Sequence, residues 1–335
     1  MRVLLICNYK PGVGGISGQV EILQRKLREE GHTADIFSTK GTFLWRLGLF
    51  CRFRKAAKEY DVLHIHCCSG WGFLPAVVGV TVGRWLKKRI VLTYHGGGGE
   101  KFFDKHPKLV RHYLTRTDAN IVLSDFLGKV FDQHQLPYTI IPNIIELDSS
   151  HCRERTEIKP RFICTRAHEP LYNIPCILRA FKKALTELPE SELTLVGDGS
   201  KHEELVAMAK EMGLKNVTFT GRVDNSEIYQ YLNEAEILLS SPSIDNMPVS
   251  LLEAMNVGLL VISSNVGGVP YMVEDGQTGY LFPNNDSDTL AELMIKAVLQ
   301  PSESIAIIHN AHQAVNAYRW ENIRQQLYTA YGILS

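Results

Sequence analysis

Short apolar runs rich in Val, Ile and Leu recur along the whole chain, and apolar residues spaced at three to four positions fill most of the stretches between them. Continuous short runs suit strands covered on both faces, and the longer spacing suits helices laid against them. The runs predict strands at Val3–Cys7, Ala34–Phe37, Val62–His66, Ile90–Tyr94, Ala119–Leu123 and Thr139–Ile141, with an amphipathic helix over Ile16–Glu30 stopped by Gly31. The polar, non-periodic stretch Pro142–Lys159 interrupts this rhythm and reads as a linker. The alternation then restarts, with strands expected at Arg161–Cys164, Leu193–Val196, Val217–Thr220, Ile237–Leu239, Leu260–Ser263 and Gly279–Phe282. Helices are expected near Pro175–Leu188, Lys201–Met212, Asn225–Glu234, Val249–Val257 and Asp288–Leu299, and two more close the chain. Strand–helix alternation of this kind builds parallel, doubly wound sheets. The expected fold is therefore α/β, with two Rossmann-like domains facing each other across a cleft. The expected boundaries are 1–148, a linker at 149–159, 160–310, and C-terminal helices at 311–335 that pack back toward the first domain.

Length and composition narrow the function. At about 150 residues per domain, 335 residues fit two domains. Lys+Arg and Asp+Glu are both 36, so no global basic field exists to hold nucleic acid. No apolar run reaches the roughly 18 residues of a membrane span, and the apolar start is too short for a signal peptide. Seven cysteines without a C-x-x-C spacing read as reduced thiols, which points to a cytoplasmic protein without disulfides or a zinc site.

In open α/β sheets, ligands sit beyond the carboxyl ends of strands, so the loops after strands are the places to look for chemistry. The first strand runs into Lys10-Pro11-Gly12-Val13-Gly14-Gly15-Ile16-Ser17-Gly18. Either this loop faces a phosphate at the helix start, or it is a plain strand–helix turn. A dinucleotide fingerprint would need glycine at Ser17 and an acidic residue at the end of the second strand, where Asp35 lies too early, so a nicotinamide reading is weak. Tyr94-His95-Gly96-Gly97-Gly98-Gly99 places an imidazole at a strand end before a loop bare of side chains, either a substrate site or a flexible connector. His64 and His66 share one strand face, but no third ligand is spaced to complete a metal site, and hydrogen-bonded strand histidines are expected. Val196-Gly197-Asp198-Gly199 reads equally as a ligand loop or a tight turn.

The richest stretch is Ser240 to Gly258, where a polar loop follows a strand and leads into a helix that is apolar nearly all round. Asn246 suits the helix cap, Pro248 the first turn and Gly258 the residue after the end. Ser250 and Glu253 share one face of that helix, and a buried carboxylate needs a partner. Asp245 and Glu253 beside the helix N-terminus suit a sugar attached to phosphate. A capping Asp with an internally paired Glu is the plainer alternative.

These residues resemble a known family. Asp245-x7-Glu253 followed by Ala254-Met255 is similar to the acidic signature of the family 4 retaining glycosyltransferases of the GT-B fold. Leu195–Gly199, Phe219–Val223, Val266–Pro270, Asp275-Gly276-x2-Gly279, Gly14-Gly15, Asp61–His66, His95-Gly96 and Pro142-Asn143 follow the family in order, so the resemblance spans nearly the whole chain. It implies an EC 2.4 enzyme that moves a sugar from a nucleotide diphosphate sugar to a glycan or lipid-linked acceptor. The resemblance further implies retention of configuration, no metal and no cofactor, in cell-surface polysaccharide or glycoconjugate synthesis. By the same resemblance, Asp245 contacts donor sugar hydroxyls, Glu253 holds the nucleotide ribose, and the backbone of Asn246, Met247, Pro248, Val249 and Ser250, with N–H groups at all but Pro248, marks the sugar–phosphate contact. Arg166 neutralises the departing diphosphate, Gly14, Gly15 and Gly197 line the donor, and His95 lies near the reacting sugar. Three departures stand out: Asp245 where Glu is usual, no Lys after Arg166, and Ile144 where Gly is usual. Tyr172 or Asn173 is expected to supply a neutral donor in place of that Lys. A nucleotide-sugar epimerase and a non-catalytic sugar-nucleotide binder are the rival readings.

Gly41–Lys58 mixes Phe43, Leu44, Trp45, Leu47, Leu49, Phe50 and Phe53 with Arg46, Arg52, Arg54, Lys55 and Lys58. It resembles a basic amphipathic helix for peripheral contact with an anionic membrane at the inner face. A core-packed helix with solvated charges is the alternative.

Overall fold

Two six-stranded sheets, each parallel throughout, carry the chain. The computed structural model describes residues 1–12, 15–41, 48–146, 153–224 and 227–333. The chain divides into Met1–Glu146 with Tyr318–Ser335 as one unit and Leu147–Ala317 as the other.

The first unit runs β1 (Arg2–Cys7), α1 (Ile16–Glu29), β2 (Thr33–Ser38), α2 (Leu49–Ala57), β3 (Val62–Cys67), α3 (Leu74–Trp85), β4 (Arg89–Tyr94), α4 (Gly99–Lys105), α5 (Pro107–Leu114), β5 (Ala119–Val122), α6 (Asp125–Gln133) and β6 (Thr139–Ile140). Its strand order is β2-β1-β3-β4-β5-β6. Every residue of β3 is buried, as expected of a strand with helices on both faces. On one face, α3 lies so close that a Cβ on Gly79 would meet Ile65 Cδ1 at 2.6 Å. Of the Gly41–Lys58 stretch, residues 42–47 lie outside the described residues, with Phe43, Leu44, Trp45, Arg46 and Leu47 among them. The rest forms α2, which buries Leu49, Phe53 and Ala57 in the core and leaves Phe50 exposed. Leu49 and Phe53 are thus core residues and do not belong to an outward apolar face, because the spacing i, i+4 turns both toward α3 and the sheet.

The second unit runs β7 (Arg161–Cys164), α7 (Ile174–Ala184), β8 (Glu192–Val196), α8 (His202–Glu211), β9 (Val217–Gly221), α9 (Ile228–Glu234), β10 (Ile237–Ser240), α10 (Val249–Asn256), β11 (Leu260–Ser264), β12 (Tyr280–Phe282), α11 (Ser287–Leu299) and α12 (Pro301–Ala314). Its order is β12-β11-β10-β7-β8-β9. Before β7, the side chains of Arg155 and Glu236 are almost wholly buried as an ion pair at 2.8 Å, and Arg155 also donates to Val257 O and Ala235 O. This satisfied network fixes the start of the unit to α10 and β10.

The chain then returns to the first unit with α13 (Trp320–Tyr331). Trp320, Ile323, Leu327, Ala330 and Tyr331 complete the core on the α1 side of that sheet.

Candidate active site

In the second unit, the chain fills β7, β8 and β9 outward to one side, then starts again at β10 on the other side of β7. Such a reversal opens a crevice beyond the carboxyl ends of the two central strands. The loops after β7 and β10 meet there. Ser243 N donates to Leu171 O at 2.8 Å, and Ser241 Oγ donates to Tyr172 O and Asn173 O at 3.0 and 2.9 Å.

Arg166 stands at this junction. Its Nη2 pairs with the Asp245 carboxylate, and its Nη1 donates to Ser250 Oγ at 3.3 Å. The guanidinium lies over the Tyr172 ring, 4.3 Å from its centre, a cation–π contact that fixes the plane of the fork. Arg166 Nε is buried and has no hydrogen-bond partner among the described residues. Arg166 and Asp245 are 11% and 20% exposed, so the pair is largely dry and can still be reached.

Backbone geometry holds Asp245 in place. Its carboxylate accepts from Asn246 N at 2.8 Å, and its carbonyl accepts from Gly268 N at 2.8 Å. Gly267 has φ +55°, and a Cβ there would sit 2.0 Å from Asp245 O, so only glycine admits the approach. On the other side, a Cβ on Gly197 would meet Arg166 O at 2.4 Å. Gly197 is therefore the space into which the Arg166 loop packs.

Helix α10 spans Val249–Asn256, starting where the sequence pattern sets it. Pro248 is the cap residue, in extended conformation at φ −67° and ψ 112°, and its own side chain makes no cap hydrogen bond. Asn246 is therefore not the cap, because a residue before proline is pushed out of the helical region and Met247 ends the loop. Gly258, at φ +77°, closes the helix as expected. Ser250, Met247 and Pro248 are buried and Val249 is half-buried. Glu253 is half-buried, and its carboxyl has no hydrogen-bond partner among the described residues. Desolvation raises its pKa, and Arg166 opposes that rise. Glu253 is thus neither internally paired nor fully solvated. Of the two residues expected as neutral donors, Tyr172 stacks under Arg166, and Asn173 Nδ2 donates to Asn285 Oδ1 at 3.0 Å.

In the first unit, Gly14 lies outside the described residues. Gly15, at φ +66°, is the cap residue of α1. Gln19 on α1 exchanges two hydrogen bonds with the Ile144 backbone, at 3.0 and 2.9 Å, and pins the Pro142–Ile144 segment over the sheet. His95 follows β4, and its Nε2 is 3.0 Å from His66 Nδ1. His64 is satisfied on both nitrogens, by Tyr331 and Thr93 hydroxyls at 2.8 Å each. Sequence reasoning missed the His66–His95 link and the Tyr331 contact, which needs α13 folded back onto β3. Among the described residues, no group of three or more His, Cys, Asp or Glu could hold a metal ion.

Residues 153–314 match the family Glycosyl transferases group 1, and residues 13–149 match Glycosyltransferase Family 4. The chain is 25% identical to the N-acetyl-alpha-D-glucosaminyl L-malate synthase of Bacillus anthracis, over 82% of this chain and 75% of that protein. It is 23% identical to the phosphatidyl-myo-inositol mannosyltransferase of Mycolicibacterium smegmatis, over 100% of this chain and 94% of that one. Its fold is similar to HepE of Anabaena in complex with UDP and glucose, with TM-score 0.81, 18% identity and both chains covered to 100%. Sucrose-phosphate synthase of Thermosynechococcus elongatus gives TM-score 0.82 at 19% identity, covering 99% of this chain and 98% of that one. With the two parallel sheets and the two family matches together, the chain belongs to the family 4 glycosyltransferases of the GT-B fold.

Proposed function

We propose that the chain moves a sugar from a nucleoside diphosphate sugar to a glycan or lipid-linked acceptor, with retention of configuration. The observation that carries this reading is the Arg166–Asp245 pair at the strand-order reversal, beside the start of α10 and one turn from Glu253. Donor binding is then an exchange of partners. The Asp245 carboxylate turns to sugar hydroxyls, and the guanidinium edge turns to the diphosphate, helped by the first N–H groups of α10. Glu253, a carboxyl without a protein partner, accepts the ribose hydroxyls. In the reaction, the bond from the anomeric carbon to the phosphate oxygen breaks as the acceptor oxygen bonds to the same face. The acceptor proton passes to the departing phosphate oxygen, so no protein base is needed. Stabilising the charge that grows on that phosphate is the main task of Arg166. By the family resemblance, His95 is assigned a place near the reacting sugar. The UDP and glucose bound by HepE, and the lipid acceptor named for the mycobacterial mannosyltransferase, support donor and acceptor classes of this kind.

An acceptor in a lipid surface also gives meaning to the outer side of α2 and α3. Phe50 and Trp85 are 43% and 64% exposed, and Arg54 stacks over Trp85 at 3.9 Å. We expect co-sedimentation with anionic vesicles and none with neutral ones; equal binding to both, or to neither, removes the membrane contact. Transfer itself is tested by incubating the chain with nucleotide sugars and acceptor extracts and reading the anomeric proton of the product by NMR. The reading requires product with the donor's configuration. Inverted product overturns retention, and epimerised free nucleotide sugar without product overturns transfer.

A further inference from the structure

A neutral imidazole has one N–H and one lone pair, so a chain of histidines is satisfied only by certain placements of the protons. In the first unit, the register of β3 and β4 sets His66 across from Thr93, and His95 N donates to Cys67 O at 2.8 Å. This brings the rings of His66 and His95 into a stack 5.2 Å apart, with His66 Nδ1 and His95 Nε2 at hydrogen-bond distance. His66 is 4% exposed, and its Nε2 is buried without a hydrogen-bond partner among the described residues. His95 Nδ1 has no partner among them either.

Two arrangements are open to this pair. If His95 Nε2–H donates, the His66 proton lies on Nε2 and becomes a buried N–H without an acceptor. If His66 Nδ1–H donates, the orphan on His66 is a lone pair. Buried N–H groups without acceptors are rare and costly, while under-used acceptors are better tolerated. We propose that His66 is a positioning residue whose Nδ1–H donates to His95 Nε2 and thereby holds His95 with its own proton on Nδ1. His95 then offers the substrate a hydrogen-bond donor and not a base. That role suits a hydroxyl or ring oxygen of the donor sugar, and it leaves the acceptor proton to the departing phosphate. The use made of His95 rests on the proposed function; the position of its proton rests on the geometry alone. Burial keeps the whole group neutral: His64 is pushed down to about 3, His95 to about 4, and His66 well below the usual range.

Long-range proton–nitrogen correlation on the full chain with nitrogen-15 histidine reads the tautomer directly, His95 being the signal lost in His95→Gln. We expect its proton on Nδ1 in the wild type. His66→Asn, whose amide keeps an N–H near the same place, should retain that tautomer and most of kcat. His66→Leu should lose the single tautomer and lower kcat about tenfold, the worth of one hydrogen bond, with donor KM within about twofold. A proton on His95 Nε2 in the wild type overturns the proposal, as does a His66→Leu variant with tautomer and kcat unchanged. If His66→Leu does not fold, the wild-type and His66→Asn spectra still decide. An intact Nδ1–H tautomer in a chain that transfers no sugar overturns the proposed function and leaves this inference standing.

Discussion

A guanidinium has five N–H donors in one plane, and the bonds to Asp245 and Ser250 use two of those on Arg166. Three remain: one on Nε, which is buried and orphaned, and one on each terminal nitrogen, which the proposed function turns to phosphate oxygens. Glu253 is the other half of that logic. Its carboxyl is raised by desolvation, so between the unfolded value of 4.5 and the higher folded value the native chain binds more protons than the unfolded one. Stability therefore falls as pH rises through that window, and at neutral pH Glu253 is a cost to the fold. Glu253→Gln should melt at a higher temperature than wild type at pH 7, with the gap closing toward pH 4, while nucleotide binding is weakened at least tenfold. Equal melting temperatures at pH 7 with intact binding would assign Glu253 a solvated surface role.

At the scale of elements, β3, β4 and α13 share one buried polar assembly: His64 bonded to Thr93 and Tyr331, and His66 bonded to His95. All three histidines have folded values below the free value of 6.5. The native state then binds fewer protons than the unfolded state below pH 6.5, so stability is lost as pH falls from 6.5 toward 4. For a histidine as buried as His64, the loss is about 1.4 kcal/mol per pH unit in that window. Amide exchange in β3 and β4, corrected for its intrinsic pH dependence, should quicken at pH 5 relative to pH 7.5, and His64→Gln should flatten the difference. Equal protection at both pH values would contradict buried neutral histidines.

At the scale of the whole molecule, the strands were legible because parallel strands buried on both faces leave uninterrupted apolar runs, as in Leu4–Cys7 and Ile237–Leu239. The start of α10 at Val249 was legible too, but its cap residue was not: Asn246 carries a cap signal, and Pro248, in extended conformation, takes that place. The acidic residues of the site were legible from their spacing on one helix start. Their partners were not: Arg166 meets Asp245 across 79 residues only because β7 lies beside β10, and His95 meets His66 only through the β3–β4 register. The central claim is that this second-unit site holds a nucleoside diphosphate sugar. Thermal shift with a panel of nucleoside diphosphates and their sugars, on wild type and Glu253→Ala, tests it most directly. Ligand at 100 times its dissociation constant should add about 2.7 kcal/mol of stability. The account predicts a rise in melting temperature for one base, lost in Glu253→Ala. No rise with any nucleotide, from wild-type protein that melts cooperatively, would contradict it.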